Sequence, residues 1–163
     1  MLVTVILTLT MCAMLFVMIW AAAAFYPLPQ IASFMPEDIQ EKIKDHKAPF
    51  MTAPIIGWII MILAGLGYLG VVVYGGWDGI MHGYTFVDYL VRFLVILFGV
   101  KLFDIVCLDY ILITKTHFFQ HYFPETEGCA GYHQFGYNRK QQIQQCVTLP
   151  FFAVLTAWIC SLI

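Results

Sequence analysis

The sequence predicts an all-α membrane protein of four transmembrane helices packed as a bundle, with a short amphipathic helix in the first loop. Two observations support this class. Of the 163 residues, 61% are hydrophobic and only 11% are charged, and the mean hydropathy is +0.82. Four apolar stretches, each long enough to cross a bilayer as a helix, occupy residues 2–25, 54–74, 86–113 and 146–163. Residues 1–163 are therefore predicted to form one integral membrane domain, and the lipid bilayer is its expected surrounding.

The positions of the basic residues predict how the bundle is oriented. The second loop contains no Lys or Arg. The basic residues of the first and third loops are Lys42, Lys44, Lys47, Lys115, Arg139 and Lys140. Because short loops rich in Lys and Arg stay in the cytoplasm, the first and third loops are predicted to be cytoplasmic and both termini extracytoplasmic. These residues form no strong basic patch, so no nucleic-acid partner is expected.

The first apolar stretch, residues 2–25, is predicted to be an uncleaved transmembrane helix. The alternative is a cleaved signal peptide that ends in the small residues 21–24. A signal peptide usually begins with basic residues and has an apolar core of roughly 7–15 residues. This chain instead begins MLVTVIL and stays apolar through Ala24. The sequence therefore favours a helix that remains in the membrane.

The segment PEDIQEKIKDHK in the first loop predicts a short helix. Pro36 suits the first helical position, and Glu37 and Asp38 complement the positive N-terminal end of the helix. Ile39 and Ile43 are four residues apart and share one face. We expect that face to rest on the lipid headgroups or against the third loop. A solvated connector is the alternative.

Small residues characterise the second span. Ala64, Gly65, Gly67 and Gly70 allow two transmembrane helices to approach closely, so this helix is predicted to pack against a neighbour through them. The letters GLGYLG also match a dinucleotide-binding fingerprint, but that fingerprint requires a preceding strand in a βαβ unit. An apolar helix offers no such context. The glycine-rich residues 75–84 after this span predict a short turn on the outer side.

The third span, residues 86–113, carries five charges and is predicted to contain the functional site, because ionisable residues inside a membrane are costly and mark function. In one continuous α-helix, Asp88 and Arg92 form a structural pair near the outer end. Lys101 lies on the opposite side, with Asp104 about 60° to one side of it and Asp109 about 80° to the other. This triad is expected to line a polar cavity open to the cytoplasm that binds a ligand or relays protons. Alternatively, it only fastens the helix to its neighbours.

The third loop, HFFQHYFPETEGCAGYH, concentrates side chains of metal-ligating types. His117 and His121 share one face if the third helix continues to Pro124. Further candidate ligands in this loop are Glu125, Glu127, Cys129 and His133. HFFQH lacks the Glu that follows the first His of a zincin, and five histidines are too few for the di-iron arrangement of membrane desaturases. A divalent metal is therefore a candidate cofactor but not the favoured one, and the alternative is an aromatic headgroup anchor.

Three function classes remain after these observations. The first is a small binding or transport module that uses Lys101, Asp104 and Asp109. The second is a membrane-embedded enzyme that acts on a lipid or other amphiphile at the cytoplasmic interface, with His117 and His121 as metal ligands or as acid and base. The third is a structural subunit of a membrane complex. Because four helices enclose little volume, transport is expected to require a homo-oligomer or a membrane partner subunit. The absence of a CxxC pair argues against thiol-oxidising chemistry.

Overall fold

The computed structural model describes residues 1–25, 35–44 and 46–163, and it is built from helices with no strand in those ranges. The elements in chain order are α1 (Leu2–Phe25), α2 (Glu37–Ile43), α3 (Ala53–Met81), α4 (Phe86–Phe103), the π-helix (Asp104–Lys115), α5 (Phe118–Tyr122), the turns Pro124–Thr126 and Ala130–His133, and α6 (Arg139–Ser161).

Three helices within the described ranges are long and apolar enough to cross a membrane, namely α1, α3 and α6. They correspond to the first, second and fourth predicted spans. The third predicted span comprises α4 and most of the π-helix and is not among them. Its charges are the reason, since Asp88, Arg92 and Lys101 all lie within the 18 residues of α4.

Two of these helices extend beyond their apolar stretches. α3 continues through Gly75, Gly76 and Gly79 to Met81, so the prediction of a turn over residues 75–84 was wrong for most of that segment. The turn is confined to the residues after Met81, where Gly83 has a φ of 64° that favours glycine. α6 begins at Arg139, well before residue 146, so its first two turns are polar rather than apolar.

The long helices pack in pairs, α1 against α3 and α4 against α6, and α1 also packs against α4. The predicted packing through small residues of the second span is confirmed at Gly67, where an added Cβ would lie 3.1 Å from the sulfur of Met14 in α1. Gly65 and Gly70 differ, because no described atom lies within 4 Å of a Cβ added at either position. The buried core joins all four long helices and consists of Leu7, Met11, Cys12, Val71, Tyr89, Phe93, Ile96, Val100, Ala153 and Ala157.

The short helix predicted in the first loop is present as α2, and it packs against the third loop rather than forming a solvated connector. Ile39 and Ile43 are buried in a cluster with Phe119, Phe123 and Tyr132. We call this assembly of α2 and residues 118–133 the loop cap.

Hydrogen bonds also hold the loop cap together. The Gly131 N–H donates to Asp38 Oδ2 over 2.9 Å, which joins α2 to the third loop. The hydroxyls of Thr126 and Tyr132 lie 2.7 Å apart, and burial raises the pKa of Tyr132 to about 12. Tyr132 therefore stays neutral at physiological pH and acts as a hydrogen-bonding core residue.

Candidate functional site

The charged end of the third predicted span is a π-helix rather than the continuation of an α-helix. A π-helix bonds each N–H to the carbonyl five residues earlier, so its turns are wider and each residue rotates through less than the 100° of an α-helix. Thr116 N–H, for example, donates to the carbonyl of Ile111. Between Asp104 and Asp109 the smaller rotation per residue brings the Asp109 side chain toward the helix face that carries Lys101. The assumption of a single α-helix was therefore wrong, and with it the predicted 80° offset of Asp109.

Lys101 is buried and its ammonium is bound by two acceptors. Its Nζ donates to Asp104 Oδ2 over 2.8 Å, one turn along the same helical segment. It also donates to Gln145 Oε1 of α6. Only 7% of Lys101 is exposed, so both contacts replace water that the ammonium has lost. The Lys101–Asp104 half of the predicted triad is thus an ion pair that is tied to α6.

Asp109 is held by amides instead of by Lys101. Its Oδ2 accepts hydrogen bonds from Asn138 Nδ2 over 3.0 Å and from Gln142 Nε2 over 2.6 Å. No Lys, Arg or His nitrogen of the described ranges lies within 4.0 Å of this carboxylate. The prediction that both carboxylates pair with Lys101 was therefore wrong for Asp109. In the wider π-helix, the Asp109 side chain faces the polar beginning of α6.

Both polar groups lie on the wall of one cavity of about 630 Å³. That volume falls in the range of small-molecule binding sites. The charged and amide side chains come from α4, the π-helix and the beginning of α6, whereas α1 contributes only apolar residues. The α1 residues on the cavity wall are Leu15, Met18, Ile19 and Ala22. The cavity therefore has a polar side, formed by these charged and amide groups, and an apolar side that includes the α1 residues.

Four amides complete the polar side, and none of them was predicted as a site residue: Asn138, Gln141, Gln142 and Gln145. Asn138, Gln142 and Gln145 precede the apolar part of α6, so they resemble a polar linker in the sequence. Their spacing of four and then three residues was the available signal, because it places them on one face of a helix. Tyr137 also lines the cavity, and burial, reinforced by the carboxylates of Asp109 and Asp104, raises the pKa of its phenol.

The predicted pair of Asp88 and Arg92 does not form. Asp88 is exposed and caps α4, where its Oδ2 accepts the Thr85 N–H over 2.9 Å. Arg92 is buried and turns toward α3, with its Nη2 2.7 Å from Asp78 Oδ2. The predicted pair does not form because Asp88 and Thr85 cap the start of α4 with reciprocal hydrogen bonds. In addition, Asp78 lies in α3 rather than in a turn, and it is the carboxylate that binds Arg92.

Arg92 makes two further polar contacts in this buried network. Its Nη1 donates to the Gly75 carbonyl and its Nη2 to the Tyr84 hydroxyl, both over 2.7 Å. Nearby, Gly79 allows Tyr89 to pack directly against α3, since an added Cβ would lie 2.3 Å from the tyrosine ring. These contacts join α3 to α4 and are structural.

The candidate metal ligands of the third loop do not converge. The helical path breaks at Thr116, which is extended (φ −106°, ψ 162°), so the helix does not continue to Pro124. His117, His121, Glu127 and His133 are exposed, and none of them lines the cavity. In the part of the chain that the structure describes, no three His, Cys, Asp or Glu side chains are placed to hold one metal ion.

Other interactions account for several residues of this loop. Glu125 Oε1 lies 2.5 Å from His46 Nδ1, which connects the third loop to the chain after α2. Phe119 and Phe123 are buried in the loop cap, so they do not serve as a headgroup anchor.

The chain matches no protein-family model, no curated protein and no solved structure. The cavity and its polar residues are therefore the basis for assigning a function.

Proposed function

We propose that this protein spans the membrane four times and binds a small amphiphilic ligand in the cavity between α1, the π-helix and α6. The distribution of polarity in that cavity carries the proposal. Lys101, Asp104 and Asp109 lie on one side with the amides of α6, and the α1 side is apolar. A ligand with a polar head and an apolar chain matches both sides, because each part then meets groups of its own kind.

The internal pairing of the charges supports α4 and the π-helix as a membrane span in addition to α1, α3 and α6. A charged side chain in a membrane is tolerated when it faces the protein interior and has a partner. Arg92 has Asp78, and Lys101 has Asp104. α4 also lies within the bundle, since it packs against both α1 and α6.

The proposed orientation follows from the basic residues at the loop cap. Lys42, Lys44 and Lys47 are in or just after α2, and Lys115 and Arg139 lie on either side of the third loop. By the positive-inside rule the loop cap faces the cytoplasm, and both termini lie on the opposite side. The polar side of the cavity is then at the cytoplasmic end of the bundle, which suits a ligand that enters from the inner leaflet or the cytoplasm.

A binding role accounts for more of the geometry than the alternatives do. A structural fastening of the helices needs the Lys101 contacts but no cavity beside them. An enzyme at the third loop needs converging groups, whereas His117 and His121 are exposed and lie outside the cavity. Transport by these four helices would further require a second copy of the chain or a partner subunit. Binding within the cavity requires neither.

A pair of substitutions in α6 tests the proposal. Leu149 lines the cavity, whereas the side chain of Phe151, two residues along the same helix, is directed outward and is 72% exposed. The protein in lipid nanodiscs is incubated with single-chain C12 amphiphiles, and bound molecules are counted by native mass spectrometry. We expect one bound amphiphile in the unaltered protein and in Phe151→Trp. Leu149→Trp fills the cavity, so it is expected to lose that molecule.

Two results would contradict the proposal. One is retention of the amphiphile by Leu149→Trp at the same occupancy as Phe151→Trp. The other is the absence of a bound amphiphile in all three proteins. A melting profile for each variant serves as the control for folding, because Leu149→Trp adds volume next to the core.

A further inference from the structure

We infer that the polar head of the ligand is a cation of the alkylammonium type and that it binds at Asp109. The inference rests on the proposed function, because it names the ligand class of the same cavity. It is carried by two observations, the charge balance of the cavity wall and the hydrogen bonding of Asp109, in which both amides reach the same carboxylate oxygen.

The cavity wall carries one more negative charge than positive charges. Lys101, Asp104 and Asp109 are the charged residues among the described residues that line it. Lys101 and Asp104 neutralise each other across 2.8 Å. Asp109 has hydrogen bonds from two neutral amides but no cation within 4.0 Å in the described ranges. A carboxylate without a counter-ion is costly in surroundings of low polarity, so a cationic ligand completes this site.

The amides around Asp109 bind only one of its two carboxylate oxygens. A carboxylate only accepts hydrogen bonds, so Asn138 and Gln142 must both direct their NH₂ groups toward it. Their carbonyl oxygens are then turned elsewhere. Gln142 Oε1 is buried and has no hydrogen-bond partner among the described residues. Both amide contacts reach Oδ2 of Asp109, and its Oδ1 has no hydrogen-bond partner within the described ranges either.

The Oδ1 atom of Asp109 selects for a hydrogen-bond donor. An ammonium head carries N–H donors and a positive charge, so it can donate a hydrogen bond to Asp109 Oδ1 and balance the charge of this carboxylate. An anionic head would be repelled by Asp109, and the cationic group on the same cavity wall, Lys101, is already bound by Asp104 and Gln145. A neutral hydroxyl head can donate a hydrogen bond but leaves the charge of Asp109 uncompensated.

Three probes with the same C12 chain test the inference, namely dodecylammonium, 1-dodecanol and dodecanoate. Their affinities for the protein in lipid nanodiscs are measured at pH 7 by native mass spectrometry. We expect dodecylammonium to bind more tightly than the other two by about tenfold or more, the effect of one charge-assisted hydrogen bond. Equal or tighter binding of dodecanol or dodecanoate would overturn the inference while leaving the proposed function intact.

The variant Asp109→Asn tests whether the preference for a cationic head group depends on Asp109. Asparagine retains a carbonyl oxygen that can accept from Asn138 and Gln142, but it removes the charge. We expect dodecylammonium affinity to fall about tenfold or more and dodecanol affinity to stay the same. Asp88→Asn is the matched control, because Asp88 is exposed at the start of α4 and does not line the cavity.

The possible outcomes separate the two proposals. A cation preference that persists in Asp109→Asn would overturn the assignment to Asp109. Failure of all three probes to bind the unaltered protein would overturn the proposed function itself. The comparison of head groups uses the unaltered protein, so it remains decisive if Asp109→Asn fails to fold.

Discussion

Replacing Arg92 by methionine is expected to destabilise the protein strongly, although Arg92 lies outside the ligand cavity. Arg92 is 3% exposed and binds Asp78, the Gly75 carbonyl and the Tyr84 hydroxyl, each over 2.7 Å. Methionine fills much of the same space but leaves Asp78, which is 7% exposed, without its counter-ion. Removing one partner of a buried pair costs about 3–5 kcal/mol. We therefore expect Arg92→Met to cost about 3–5 kcal/mol.

The free energy of unfolding is measured by SDS titration in mixed micelles. Asp78→Asn and the double variant with Arg92→Met complete a double-mutant cycle, in which we expect a coupling energy of about 1–3 kcal/mol. Asp88→Asn is the control. It keeps an acceptor for Thr85 and is expected to cost less than about 1 kcal/mol. A large cost for Asp88→Asn together with no coupling between residues 78 and 92 would refute this account and favour an Asp88–Arg92 pair.

Two further changes test the helix packing and the loop cap. Gly79→Ala places a Cβ 2.3 Å from the Tyr89 ring and is expected to cost about 1–3 kcal/mol in the same titration. Gly70→Ala, which meets no described atom within 4 Å, is expected to change stability by less than about 1 kcal/mol, and equal costs would contradict the packing. Ile39→Asp introduces a charge into the loop cap, so we expect the buried Cys129 thiol to react faster with maleimide. An unchanged rate would contradict the packing of α2 on the third loop.

The helical framework could be predicted because it depends on local patterns. Stretches of apolar residues predicted α1, α3 and α6, and the charge distribution around Ile39 and Ile43 predicted α2. The end of α3 was harder, because its last glycines have low helix propensity and are stabilised by tertiary contacts with Tyr89 and Arg92.

The candidate site could be predicted only in part, because its partners are far apart in the sequence. Lys101 and Asp104 stand out as charges in an apolar stretch, and they form an ion pair on one helical segment. The partners of Asp109 lie on α6, and no local pattern links residues 109 and 142. The π-helix was also beyond local reasoning, since a helical wheel assumes one rotation per residue throughout.

The most direct test of the proposed ligand site is to map where an amphiphile sits on the protein. A dodecylammonium probe with a diazirine at the end of its chain is bound to the protein in nanodiscs and activated by light. The labelled residues are then identified by peptide mass spectrometry. The proposed site predicts labels on cavity residues such as Leu15, Leu108 and Leu112, and their loss in Leu149→Trp. Labels spread over outward residues such as Phe151 and Trp158, with none in the cavity, would contradict it.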